Sequence, residues 1–311
     1  MGRARGEIRI GISGWRYKGW RGKFYPKKLR QKEELRYAAQ KFSTIEINGT
    51  FYSLQPARSF EQWRAETAEN FIFAVKGSRF ITHILRLRNV RQPLATFFAQ
   101  GLLALGKKLG PLLWQLPPNF KFDRERLAGF FELLPRDLES AAELATRRNR
   151  KIVPKAYTKI ERNRPLRHAL EVRHGSFRTP EFIELLRRYQ VALVCADTVE
   201  WPRLMDLTAD FVYCRLHGSQ VLYASGYDAK SIADWARRTV DWAEGREPED
   251  AERVMDRGPK RAARDVYVYF DNDAKVRAPA DAMAMEKKVE ELGSERSFKQ
   301  LHASIRKPRR Q

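Results

Sequence analysis

The stretch Thr179–Asp197, TPEFIELLRRYQVALVCAD, decides the fold. A helix-like segment, Thr179–Tyr189, leads into a short β-rich apolar run, Val191–Asp197. The same unit recurs in both directions along the chain. Upstream lie Ile8–Ser13 (IRIGIS), then Thr44–Asn48 (TIEIN) after the amphipathic Lys32–Lys41, and Phe71–Lys76 (FIFAVK) after the helix-like Arg58–Ala68. Pro111–Leu116 (PLLWQL) follows Leu94–Leu109, and Leu166–Arg173 (LRHALEVR) precedes the quoted stretch. Downstream come Phe211–His217 (FVYCRLH), Val266–Asp271 (VYVYFD) after the helix-like Ser231–Ala243, and a last helical stretch, Pro279–Leu292.

Strands interleaved with helices build parallel β/α units. Eight such strands in 311 residues predict an α/β chain folded as a single (β/α)8 TIM-type barrel. The rival is a doubly wound open sheet. Its dinucleotide-binding version needs a GxGxxG loop after the first strand, where this chain has SGWRYKGW. The span between the fourth and fifth strands is long for one crossover and holds two helix-like stretches, Asp123–Leu134 and Asp137–Arg150. The polar segment between Ala243 and Asp265 reads as a mobile loop. One domain covers residues 1–293, and residues 294–311 read as a basic, disordered tail.

Composition narrows the class. A hydrophobic content of 43% supports a core and excludes a wholly disordered chain. No apolar run approaches the ~18 residues of a membrane helix. The N-terminus, MGRARGEIRI, has no apolar signal stretch behind it. Two cysteines, Cys195 and Cys214, exclude a disulfide framework and a four-cysteine zinc site. A reducing, cytoplasmic setting with no membrane partner follows. Lys and Arg number 60 against 38 Asp and Glu, a net charge of +22. That excess attracts nucleic acid, anionic lipid or phosphorylated metabolites, although a generally basic composition produces the same number. Local runs lie at Arg147–Lys151, Lys159–Arg167, Arg257–Arg264 and Arg306–Arg310.

Side chains alternate across a strand, so one face of each strand points into the lumen. The pattern puts Ser13, Glu46 and Asn48, Glu171 and Arg173, Arg215 and His217, and Asp271 on lumen faces near strand ends. Lys76 ends the third strand, Gln115 lies near the end of the fourth, and Asp197 ends the sixth with Cys195 on its face. His168 reads as outward-facing. Active sites of barrel enzymes sit at the C-terminal ends of the strands. A ring of charges converging there is costly unless its members pair or bind something.

The blocks GISGWRYKGWRGKFYP, IEINGTFYSLQP, FAVKGSRFITH, GPLLWQLPPNF, ALEVRHGSF, ADTVEWP, YCRLHG and VYFDND follow one another in this order. Together they resemble the YecE-like family, a domain of unknown function, from about Ile8 to about Leu292. The resemblance implies a TIM-type barrel and transfers no settled activity. It also brings a likeness to endonuclease IV-type barrels, which bind DNA and cut phosphodiesters with metal help. The segment Arg136–Arg164 is longer and more basic than that pattern, and the tail after Gly293 is extra.

The candidate site combines three groups. Lys76, Arg173 and Arg215, with His83 or His217, supply positive charge for phosphate or carboxylate. Ser13, Asn48 and Gln115 supply neutral hydrogen bonds. Trp15, Tyr17, Trp20 and Tyr52 offer faces for a base or sugar, while Trp63 and Trp235 read as core. Glu46, Glu171, Asp197 and Asp271 are acid–base candidates, and Glu171, Asp197, His217 and Glu46 make a candidate divalent-metal set. Lys76 is also a candidate Schiff-base nucleophile, since burial lowers a lysine pKa. The leading expectation is a phosphorylated or nucleic-acid ligand at the mouth, with phosphodiester hydrolysis as the reaction class. The alternatives are a nucleic-acid-binding protein without chemistry and a sugar or sugar-phosphate enzyme using paired carboxylates.

Overall fold

The computed structural model describes residues 5–256 and 258–305. Eight parallel strands close into a barrel in sequence order. They are β1 (Ile8–Ser13), β2 (Thr44–Ile47), β3 (Ile72–Lys76), β4 (Leu109–Gln115), β5 (His168–Glu171), β6 (Ala192–Asp197), β7 (Phe211–Leu216) and β8 (Asp265–Phe270). β8 pairs with β1 to complete the ring, with Ile8 opposite Val266 and Ile12 opposite Phe270. Apolar side chains of the outer strand faces, such as Ile12, Ile45, Val75, Trp114, Leu170 and Phe270, form the main core under the helices.

The lumen is filled by unequal partners. Tyr213 and Tyr269 enter from β7 and β8, their ring centroids 5.1 Å apart. Ala74, Ala169, Ala192 and Ala196, on β3, β5 and β6, leave the room those rings need. The Tyr269 hydroxyl lies 2.8 Å from Thr44 Oγ1. At the N-terminal end Arg167 closes the barrel floor, bonded to Asp210 at 2.8 Å and Asp265 at 2.6 Å. The C-terminal end is polar, so the barrel is plugged at one end and chemically loaded at the other.

Helix starts follow local capping. Asp123, Asp137, Thr179 and Asp228 each accept a backbone N–H of the first turn they precede. The β4–β5 crossover contains the two expected helices, Arg124–Leu133 and Leu138–Thr146. The expected single helix over Leu94–Leu109 is broken. A helix, Arg91–Ala99, ends before Gly101, and tight turns run from Leu102 to Lys108. Gly101 has a φ of 131°, and a Cβ there would meet the Ala57 backbone at 2.4 Å. In the segment read as a mobile loop, Val254 and Met255 donate their N–H groups to Asp206 of the β6–β7 connection, and Asp250 pairs with Arg237 and Arg238 of the helix Ala229–Ala243. The last helix runs Ala278–Ile305, so the expected disordered tail begins as helix, and residues 306–311 lie outside the described residues. Among the described residues no helix is long and apolar enough to cross a membrane.

Gly77 follows β3 directly, and a Cβ at that position would lie 2.2 Å from the Trp114 ring. Trp114 is fully buried and cannot retreat. Gly77→Ala therefore destabilises the barrel by about 1–3 kcal/mol, which a urea denaturation midpoint at unchanged slope will register.

Candidate active site

Strand parity delivers Ser13, Glu46, Lys76, Gln115, Glu171 and Arg215 to the C-terminal end of the lumen. Asp271 and His217 follow directly from the ends of β8 and β7. Arg215 lies at their centre and is fully buried. Its Nη1 donates to Glu171 Oε2 at 2.7 Å. Its Nη2 reaches Asp271 Oδ2 at 2.8 Å, Glu46 Oε1 at 3.0 Å and Ser13 Oγ at 3.1 Å, and its Nε reaches Glu46 Oε2 at 3.2 Å. Three carboxylates thus surround one guanidinium. Their remaining oxygen valences are mostly filled: Tyr213 donates to Glu46 at 2.6 Å, Ser13 also donates to Glu46, and Gln115 and Arg173 donate to Glu171 at 2.9 and 2.7 Å.

The charges follow from this arrangement. Burial alone would raise the Glu171 carboxyl, but Arg173 and Arg215 outweigh it and hold it well below the usual carboxylate range. Asp271 is likewise held low, with Arg215 and His217 overcoming burial. His217 has Nδ1 3.1 Å from Asp271 Oδ2, poorly aligned for a hydrogen bond, and burial pushes its imidazole down. Lys76 differs from the other cations. No hydrogen bond or ion pair reaches its amine among the described residues; the amine sits 4.3 Å from the Phe51 ring centroid. Burial, reinforced by the Arg215 charge, takes it down to about 8.

Above this floor a cavity of about 670 Å³ opens to solvent. The loop after β1 contributes Trp15, Arg16 and Tyr17, and the loop after β2 contributes Asn48, Phe51, Tyr52 and Gln55. Lys76, Arg79 and His83 come from the end of β3 and its loop, Gln115 and Arg173 from β4 and β5, Tyr223 from the loop after β7, and Asp271 and Asp273 from beyond β8. No Asp or Glu occurs in residues 8–32, 47–60 or 70–122, so the wall built by the first four strand-end loops carries only positive charge. The two carboxylates on the cavity stand together. Burial and the neighbouring Asp271 push Asp273 up to about 6. Burial, then Lys76 and Arg173, take His83 down to about 4, which leaves it neutral at physiological pH.

The structure sorts the expected site residues into three groups. Trp15, Tyr17, Asn48, Tyr52, Lys76, His83, Gln115, Arg173 and Asp271 line the cavity. Ser13, Glu46, Glu171, Arg215 and His217 lie beneath it, at no more than 1% exposure, and hold one another. Arg215 is therefore a positioning residue, not the ligand contact expected of it. Asp197 and Trp20 belong to neither group; Trp20, expected to offer a stacking face, is buried in the main core. β6 points Ala192, Val194 and Ala196 inward, so Asp197 and Cys195 face the helices. Asp197 accepts from Arg203 at 3.1 Å and Trp235 at 3.2 Å. Both faces of VALVCAD are apolar, so its pattern does not reveal which one is inward. Trp63, expected in the core, is buried but also reaches the cavity wall. Asp273, Arg79, Phe51 and Tyr223 were not anticipated. Asp273 keeps the parity of Tyr267, Tyr269 and Asp271, a signal that could have found it.

The expected metal set does not fit. Asp197 faces away, Glu46 and Glu171 have their oxygens committed to Arg215, Arg173 and hydroxyl or amide donors, and Asp271 shares an oxygen with Arg215. No group of three His, Cys, Asp or Glu side chains converges to hold a metal ion among the described residues.

Comparison with known proteins agrees on the architecture. The profile of a family described as "Protein of unknown function DUF72" matches residues 9–304. The UPF0759 protein YunF of Bacillus subtilis is 32% identical over 126 residues, which cover 39% of this chain and 44% of that protein. The chain thus spans less than half the length of this curated relative. A DUF72 family protein from Thermotoga maritima has the same fold, with TM-score 0.68 and 24% identity over 91% of this chain and 99% of that one. Another from Enterococcus faecalis gives 0.65 and 18% over 91% and 95%.

Two substitutions of the floor have opposite expected effects. Arg215→Met leaves three buried carboxylates without their counter-charge and costs about 3–5 kcal/mol or more. Lys76→Met removes a buried charge that has no hydrogen bond or ion pair among the described residues. The folded lysine sits near 8 against 10.5 unfolded, so the cost of keeping it charged is fully present below about pH 8 and fades toward 10.5. Lys76→Met is therefore stabilising at neutral pH, by up to about 3 kcal/mol, and the gain disappears in alkaline buffer. Denaturation curves of both variants across pH check the two signs.

Proposed function

The chain belongs to the DUF72 family, and we propose that its barrel mouth binds a phosphorylated small molecule of nucleotide or sugar-phosphate size. One observation carries the reading: Lys76, Arg79 and Arg16 line the cavity with no carboxylate partner among the described residues, on a wall that contains no acidic residue. An anionic group there gains charge-assisted hydrogen bonds. Trp15, Tyr17, Tyr52 and Phe51 give the rest of the ligand aromatic surface. Asp273, poised near 6, supplies a proton donor and acceptor on the same cavity. The chemistry assigned is general acid–base catalysis by Asp273; cleavage through a metal-activated water has no donor set to support it.

A second reading extends the first. The acid-free loops continue outward past Tyr52 and Phe80, which are 69% and 50% exposed. A single nucleic-acid strand would find both phosphate partners and stacking faces there. Its binding would weaken steeply with salt and would survive loss of Lys76, which lies inside the cavity.

Calorimetry with ribose 5-phosphate and adenosine monophosphate, against ribose and adenosine, tests the first reading. The phosphorylated compounds bind, and Lys76→Met weakens them by about 10- to 100-fold, the worth of a hydrogen bond to a charged group. Affinity falls as pH rises through about 8 in the wild type, because the ammonium that holds the phosphate is lost. Lys76→Arg flattens that fall. Equal binding of phosphorylated and unphosphorylated partners would remove the proposal.

A further inference from the structure

We propose that Lys76 is a nucleophile that forms an imine with the aldehyde or ketone carbonyl of a phosphorylated ligand. This rests on the ligand class proposed above and adds the reacting group. Lys76 ends β3, is 7% exposed and lines the cavity. Its backbone is fixed on both sides: its carbonyl accepts from Thr50 Oγ1 at 2.7 Å, and the next N–H, that of Gly77, donates to Leu113 at 2.8 Å. The same Thr50 contact seats Phe51, whose ring face lies under the amine at 4.3 Å, a weak cation–π contact in place of an ion pair. Among the described residues the nearby carboxylates do not bond to it. Glu46, Glu171 and Asp271 are engaged by Arg215, and Arg173 takes a further Glu171 contact.

A lysine kept only as a structural cation would be paired in such a floor. This one makes no hydrogen bond or ion pair with the acids among the described residues, and burial and the Arg215 guanidinium outweigh their attraction for its proton. About half of it is neutral at pH 8, roughly a hundredfold more than for an ordinary lysine. The neutral nitrogen attacks the carbonyl carbon, and the carbonyl π pair moves to oxygen. The oxygen gains a proton and the nitrogen loses one, exchanged through solvent with Asp273 on the same cavity, giving the carbinolamine. A second proton delivery lets the hydroxyl leave as water while the nitrogen pair closes the C=N bond. No oxidant or reductant takes part. With a carbonyl ligand the phosphate is held by Arg79 and Arg16, which have no carboxylate partner among the described residues, and Lys76 meets the carbonyl instead of the phosphate.

The test is reductive trapping on the intact protein. Dihydroxyacetone phosphate and glyceraldehyde 3-phosphate are each incubated with it near pH 8, and sodium borohydride is added. Peptide mapping then locates the adduct, while calorimetry follows binding of the same compounds. The expected result is a single dominant adduct on Lys76, absent in Lys76→Arg, which still binds the phosphates. If the wild type binds both compounds and borohydride yields only scattered adducts at surface lysines, the imine is wrong and the ligand reading stands. If the wild type neither binds nor is labelled, both fail. The wild-type labelling site needs no variant, so a poorly folded Lys76→Arg leaves the test intact.

Discussion

Arg215 and the three carboxylates around it are the constraint on which the rest of the mouth depends. Four strands contribute to that contact: Ser13, Glu46, Glu171 and Arg215 come from β1, β2, β5 and β7, and Asp271 follows β8. Taking these charges out of water is expensive, and only a nearly complete set of hydrogen bonds offsets it. The set is nearly complete: Gln115 and Arg173 bond the Glu171 oxygen that Arg215 does not reach, and Tyr213 and Ser13 add second donors to the two Glu46 oxygens that it does. Such a network adds little net stability over an apolar core, but it has one low-energy arrangement. It therefore fixes strand ends, and everything on the loops above them, in register.

The network also determines what the cavity can do. Its acids are spent internally, so they are not free as metal ligands or as a glycosidase-type pair. What remains on the cavity is a group of cations, aromatic faces and one carboxylate of raised affinity for protons, Asp273. Lys76 is the cation that this pairing leaves without a contact of its own: the three carboxylates favour its ammonium from a distance, but none bonds to it among the described residues. Its instability inside the fold and its usefulness at the mouth have the same cause, as at many functional sites.

Much of this was legible in the residues. The barrel followed from eight apolar runs alternating with helical stretches, because parallel strands need crossovers and the pattern allows little else. The inward sets on β1, β2, β5, β7 and β8 were legible because polar residues alternate there with Ile, Leu and Val. β6 was not, since small apolar residues on both faces leave its parity open, and Asp197 was misplaced with it. The distinction between floor and cavity was also hidden. Glu46, Glu171 and Arg215 read as ligand-facing because a strand pattern gives direction and not depth. Depth is set by side-chain length and by which ions find each other across the lumen. The break at Gly101 was missed because its cause is a contact with Ala57, forty-four positions earlier.

The claim that Lys76 is left over by the Arg215 network is open to direct measurement. Isotope-edited NMR of the lysine side chains, with Lys76→Arg to assign the signal, gives its titration in the intact protein. The account predicts a midpoint near 8, well apart from the other lysines. A midpoint near the ordinary 10.5 would mean that the amine has found an acid, and the cavity chemistry built on its isolation would then be wrong.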